Sequence, residues 1–122
     1  MKILVMDDEV QILRLVTEIL HADGHEVLCA ADGIAGMALL RKEAPEMVIV
    51  DIVMPEQEGI ETILAIRRES PKTKIIAISG AGQVGEVDVL KMARAFGADD
   101  VIAKPFRAGE LLSLVRSSVA AA

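Results

Sequence analysis

Two hydrophobic rhythms take turns along this chain. Short apolar runs dense in β-branched residues occur at Lys2–Met6, Glu26–Ala30, Met47–Val50, Lys74–Ile78 and Val101–Ala103. Runs of this kind suit strands buried on both faces of a parallel sheet. Between them, apolar positions recur about every three or four residues, the spacing of amphipathic helices. The first such segment places Ile12, Leu15, Val16 and Ile19 inward against Arg14 and Glu18, and the second runs through Leu39 and Leu40. The third turns Ile60, Ile63, Leu64 and Ile66 inward and Arg67, Arg68 and Glu69 outward. The fourth carries Leu90, Ala93 and Phe96, and the last Leu111, Leu114 and Val115. Local signals mark the boundaries. Asp8 suits the first helix's N-cap and Gly24 its stop. Asp32-Gly33 opens the second helix, which ends by Pro45; Ser70-Pro71 ends the third and Gly97 the fourth.

Strand and helix therefore alternate five times through short connections. This predicts an α/β fold: a doubly wound, five-stranded parallel sheet with five helices on its two faces. Residues 1–122 suffice for one domain with one core. The pattern leaves the strand order open.

Composition narrows the function. With two Phe and no Trp or Tyr, the core must be aliphatic, and a stacking platform for flavin or single-stranded nucleic acid has no material. A formal net charge of −6 disfavours a phosphate-backbone binder, so no nucleic-acid partner is expected. The lone Cys29, within the apolar run Val27–Ala30, reads as a small core residue of a reducing compartment. His21 and His25 flank a turn and are expected to be solvated, and the scattered Met residues read as core filler. No apolar run approaches ~18 residues and no charged-then-apolar leader is present, so a cytoplasmic location without membrane contact is expected.

The chemistry gathers where strands end, because open α/β sheets bind ligands at the carboxyl ends of their strands. The first strand runs into Asp7-Asp8-Glu9, the third into Asp51, the fourth into Ser79 and the fifth into Lys104. Each residue has an ordinary alternative as a helix cap or a solvated charge. All of them on one rim would instead bring together carboxylates that repel by roughly 1–4 kcal/mol per pair at ~4 Å. A divalent cation relieves that repulsion. Hard oxygen donors favour Mg²⁺, and the absence of His or Cys near these strand ends disfavours zinc. Carboxylates, a cation and a facing Lys make a phosphoryl-transfer site in which Asp51 is the natural nucleophile.

At these residues the chain resembles the receiver domains of two-component response regulators. The matching features are Asp7-Asp8-Glu9, Asp51 followed by Met54-Pro55 and Gly59, Ser79, and Lys104-Pro105-Phe106. They extend over the whole chain in order and at the right spacing. The resemblance implies a CheY-like, flavodoxin-like strand order 2-1-3-4-5. It implies that Asp51 accepts a phosphoryl group from a histidine kinase or histidine phosphotransfer protein. It also implies Mg²⁺ held by Asp7, Asp8, Asp51 and the Val53 backbone carbonyl, with Lys104 and Ser79 contacting phosphoryl oxygens and a cis Lys104–Pro105 bond. Such a domain catalyses only its own phosphorylation and dephosphorylation. Its output is a change of protein contacts, in the family commonly through the face made here by about 86–119. The start at Met1 and the alanines of Ala120–Ala122 suit a free-standing receiver without an output domain.

Three positions depart from the common family pattern. Val53 and Ala81 stand where receivers often carry polar side chains that influence the attacking water. Neither can hydrogen-bond, so slow self-dephosphorylation is expected; rapid phosphate loss in a time course would refute it. Val101 stands where many receivers carry an aromatic switch residue. The glycine-rich Gly80–Gly85 loop is the alternative carrier of the switch, visible as altered amide exchange there on phosphorylation.

Rival readings are weaker. Gly80–Gly85 matches G-x-G-x-x-G between a strand and a helix, as in dinucleotide sites, but lies in the fourth strand–helix unit with no room for a substrate domain. A haloacid-dehalogenase-type phosphatase wants a second Asp where Val53 stands. A receiver degenerated into a pure interaction module is disfavoured because no acceptor or metal residue is missing.

Overall fold

The computed structural model describes residues 1–52, 58–80, 91 and 94–120. In chain order the elements are β1 (Lys2–Met6), α1 (Val10–Ala22), β2 (Glu26–Ala30), α2 (Gly33–Glu43), β3 (Met47–Asp51), α3 (Glu58–Glu69), β4 (Lys74–Ser79), β5 (Asp100–Ala103) and α4 (Ala108–Ala120). The helix expected through Leu90, Ala93 and Phe96 falls largely outside the described residues. Met54, Pro55 and most of the Gly80–Gly85 loop fall outside them too.

All strand pairings are parallel, and the five strands lie in the order β2-β1-β3-β4-β5, the order that the resemblance implied. Two hydrophobic layers sandwich the sheet. Leu4, Met6, Val48, Val50, Ile75 and Ala77 face α2 and α3, burying Met37, Leu40, Ile63 and Ile66. Ile3, Val5, Ile49, Ile76, Ile78 and Ile102 face α1 and α4, burying Val16, Leu20, Leu111 and Val115. The strict alternation along each strand is what assigns these two faces.

Helix ends follow from local chemistry. The Asp32 carboxylate accepts a hydrogen bond from Ala35 N at 2.8 Å and caps α2. Gly24 follows α1 at φ +88°, a left-handed conformation that costs glycine little. Glycine at 36 lets α2 approach β1: a Cβ there would run into the Met6 side chain.

Several expectations fail in detail. The residue before α1 is Glu9, not Asp8, and Glu9 makes no side-chain cap. Leu15 (43% exposed) and Leu64 (38%) sit at the margins of their stripes, because α1 and α3 bury narrower faces than their apolar residues could cover. Cys29 is exposed rather than in the core. β2 is an edge strand, so one side of it lacks a covering neighbour; the Cys29 sulfur lies 3.1 Å from Thr17 Oγ1. His25 is largely enclosed, with its side chain 13% exposed and Nε2 3.3 Å from Asp23 Oδ2. Arg67 does not point freely outward. It donates to the carbonyls of Gly97, Pro71 and Thr73 and pairs with Asp99 at 3.0 Å.

Candidate functional site

The sheet register builds a stepped rim. Met6 is level with Val50, so the next residues, Asp7 and Asp51, emerge together at the ends of β1 and β3. Asp51 is level with Ile78, and Ser79 with Ala103. Ser79 and Lys104 therefore follow one step further across the sheet. By alternation Asp7 and Asp51 continue the face of Val5 and Ile49, and Lys104 that of Ile102. Backbone bonds fix the rim: Asp7 N donates to Ala30 O at 3.1 Å, Ile52 N to Ile78 O at 2.9 Å and Lys104 N to Ser79 O at 2.7 Å. The Lys104–Pro105 peptide is cis, as the resemblance implied.

At the centre lies the Lys104 ammonium. Its Nζ is 3.0 Å from Asp51 Oδ2, 3.0 Å from Glu9 Oε1 and 3.3 Å from Asp7 Oδ2. The contacts to Asp51 and Glu9 are hydrogen bonds; that to Asp7 is an ion pair without hydrogen-bond geometry. Asp7 Oδ1 accepts from Glu9 N at 2.8 Å, which folds the acidic turn back over the rim. Asp7 and Asp51 are buried.

Two charged groups carry the imprint of this crowding. Burial pushes the Asp7 carboxyl up to about 6 and the neighbouring Asp51 charge adds to it, against the opposing pull of the Glu9 amide and Lys104. Burial alone would lower the Lys104 pKa. Hydrogen bonds to Asp51 and Glu9, with the charges of Asp51 and Asp7, outweigh it and hold the pKa above its ordinary value.

The donor set fits a hard divalent cation. Asp7, Asp8, Glu9 and Asp51 each offer a carboxylate oxygen, all within 4.8 Å of one another. Asp7 Oδ2 is buried and takes no hydrogen bond from the described residues. Oxygen-only donors at this spacing match Mg²⁺ far better than a thiophilic metal. Of the residues expected in the site, Asp7, Asp8, Asp51 and Lys104 meet. Ser79 joins through its backbone, and its Oγ is buried without a hydrogen-bond partner among the described residues. Val53, expected to contribute its carbonyl, and Ala81 lie outside the described residues. Sequence reasoning left Glu9 without a role; its one signal was its place as the third acidic residue after β1.

The family description "response regulator receiver domain" matches residues 3–116. The chain belongs to that family. Among solved structures, the receiver domain of NtrX from Brucella abortus is 33% identical at a TM-score of 0.91, with 98% of this chain and 99% of that one covered. A receiver domain protein from Clostridium thermocellum is 30% identical at a TM-score of 0.87, covering 97% of this chain and 93% of that one. Chemotaxis protein CheY4 from Vibrio cholerae is 30% identical at 0.85, covering 96% and 97%. Longer NtrX chains match as well, and this chain spans only 26–27% of their length. The receiver family characteristically binds Mg²⁺ at an acidic pocket, and the carboxylate cluster stands at the corresponding rim. The dinucleotide and phosphatase readings have no counterpart in this membership. No helix among the described residues is long and apolar enough to cross a membrane.

Proposed function

We propose that this receiver takes a phosphoryl group onto Asp51 from a phosphohistidine of a histidine kinase or phosphotransfer protein. The observation that carries the reading is the buried Asp51 carboxylate, paired at 3.0 Å with Lys104 inside a cluster of further carboxylates. In the step, an Asp51 oxygen forms the O–P bond as the P–N bond of the donor breaks. The imidazole leaves with its electron pair and is neutral once it carries one proton. Asp7, Asp8 and Asp51, with the Val53 carbonyl, would hold Mg²⁺, which neutralises phosphoryl charge when bound. Lys104 exchanges its contact with Asp51 for one with a phosphoryl oxygen, and the Ser79 hydroxyl donates to another. The unphosphorylated site is thus already arranged around a cation, which favours in-line transfer through electrostatics rather than acid–base chemistry.

Residues 1–122 act as one receiver unit whose phosphorylation shifts a pre-existing equilibrium of protein contacts, through the face formed by about 86–119. We place it in the cytoplasm, where its donors would reside. Incubation with acetyl phosphate and Mg²⁺, read by intact mass, tests the proposal. The wild type gains one phosphoryl group and Asp51→Asn gains none; equal gain by the variant, or none by the wild type, would refute it.

A further inference from the structure

Glu9 precedes α1 yet leaves the capping role unfilled. Its amide is held by Asp7 Oδ1 and its carbonyl accepts from Ile12 N and Leu13 N at 3.1 Å, so the backbone is fixed while the side chain is free to turn. It turns into the site, placing Oε1 3.0 Å from Lys104 Nζ at the solvent-facing side, where its side chain is 59% exposed. Lys104 is therefore shared among Asp51, Asp7 and Glu9, and Glu9 alone of the three has no part in the acceptor reading.

We propose that Glu9 is a positioning residue that restrains Lys104 in the unphosphorylated domain and slows phosphorylation by low-molecular-weight phosphodonors. The inference rests on the phosphoryl-acceptor reading of Asp51. Of the three hydrogen bonds an ammonium donates, Lys104 gives one to Asp51 and one to Glu9, so the Glu9 contact still holds the ammonium when a phosphoryl oxygen replaces Asp51 as its partner. The contact must break before Lys104 can swing toward the donor. Exposure keeps the restraint weak, so its removal accelerates the reaction by roughly two- to fivefold, the span of an exposed ion pair.

The test compares wild type, Glu9→Gln and Glu9→Asp, with Glu18→Gln as a control that alters net charge equally from an exposed position on α1. Initial rates of phosphorylation by acetyl phosphate are measured at saturating Mg²⁺, with Mg²⁺ affinity taken from calorimetry and folding checked by melting temperature. Glu9→Gln loses the charge, whereas Glu9→Asp keeps it on a stem one methylene too short to reach Lys104. Both are expected to react faster than wild type, Glu9→Gln by the smaller factor because its amide oxygen can still accept from Lys104 Nζ, and Glu18→Gln to match wild type. Acceleration by Glu9→Gln alone would show charge repulsion of the donor, not restraint of Lys104, and would overturn the proposal. Unchanged rates in both would overturn it too. So would a loss of Mg²⁺ affinity as large as that of Asp8→Asn, because Glu9 would then be a metal ligand. A wild type that takes no phosphoryl group would instead sink the acceptor reading itself.

Discussion

Asp7 is the residue at which structure and function are most at odds. It is fully buried, its pKa is raised to about 6, and one of its oxygens takes no hydrogen bond from the described residues. In the unfolded chain the same carboxyl titrates near 3.8. Between those values the folded protein binds a proton that the unfolded chain has released. Stability contributed by this group is therefore present at acid pH and is lost as pH rises from about 4 to about 6. The deficit at neutral pH is on the order of 3 kcal/mol. Asp23 and Glu69, whose pKa values are lowered by Arg116 and Arg41, act with the opposite sign and at more acid pH. Asp7→Asn should accordingly stabilise the metal-free protein at pH 7.5 and give little at pH 4. Urea denaturation in EDTA at the two pH values checks this, and a variant less stable than wild type at pH 7.5 would contradict it.

Among the elements, the site is carried by strand ends and its support by residues at the opposite end of the sheet. Arg67, on the last turn of α3, ties that helix to the turn before β4 and to the segment leading into β5 through three carbonyls and Asp99. Asp99 also accepts from Ile75 N at 2.8 Å. Truncating Arg67 to Ala leaves these acceptors unsatisfied in a half-buried place and should cost about 2–3 kcal/mol. Arg67→Lys should recover only part of that, since an ammonium cannot span the same fork of acceptors; full recovery in chemical denaturation would show that charge alone matters. Nothing in the sequence marked this role. An Arg beside Arg68 and Glu69 reads as solvated surface, and the carbonyls that it satisfies belong to residues up to 30 positions away. The strands, by contrast, were legible because burial on both faces leaves an unbroken apolar run. Asp7, Asp8, Asp51 and Lys104 were legible because each directly follows, or sits at the end of, such a run. Helix faces were legible only at their centres, where Val16, Ile63, Ile66 and Leu111 lie; Leu15 and Leu64, at the stripe edges, depend on how much sheet is left to cover. Cys29 was misread because an apolar run does not say which strand forms the edge.

For the molecule as a whole, stability and site occupancy are one equilibrium. A cation that binds the folded rim and not the unfolded chain adds roughly 2.7 kcal/mol at a concentration one hundred times its Kd. Melting temperature should rise with Mg²⁺, and Asp8→Asn should flatten that rise. A midpoint unmoved by Mg²⁺ in the wild type would exclude a metal-loaded rim. The topology sharpens the same linkage. Lys104 directly follows β5, and the hydrogen bond from its amide N–H to the Ser79 carbonyl and the β4·β5 register form only when that strand is laid down. A ribosome-bound fragment ending before β5 would present Asp51 with no ammonium beside it. Under the acceptor reading, competence to receive a signal then arrives only with the fifth strand, and copies that stop short of it stay silent.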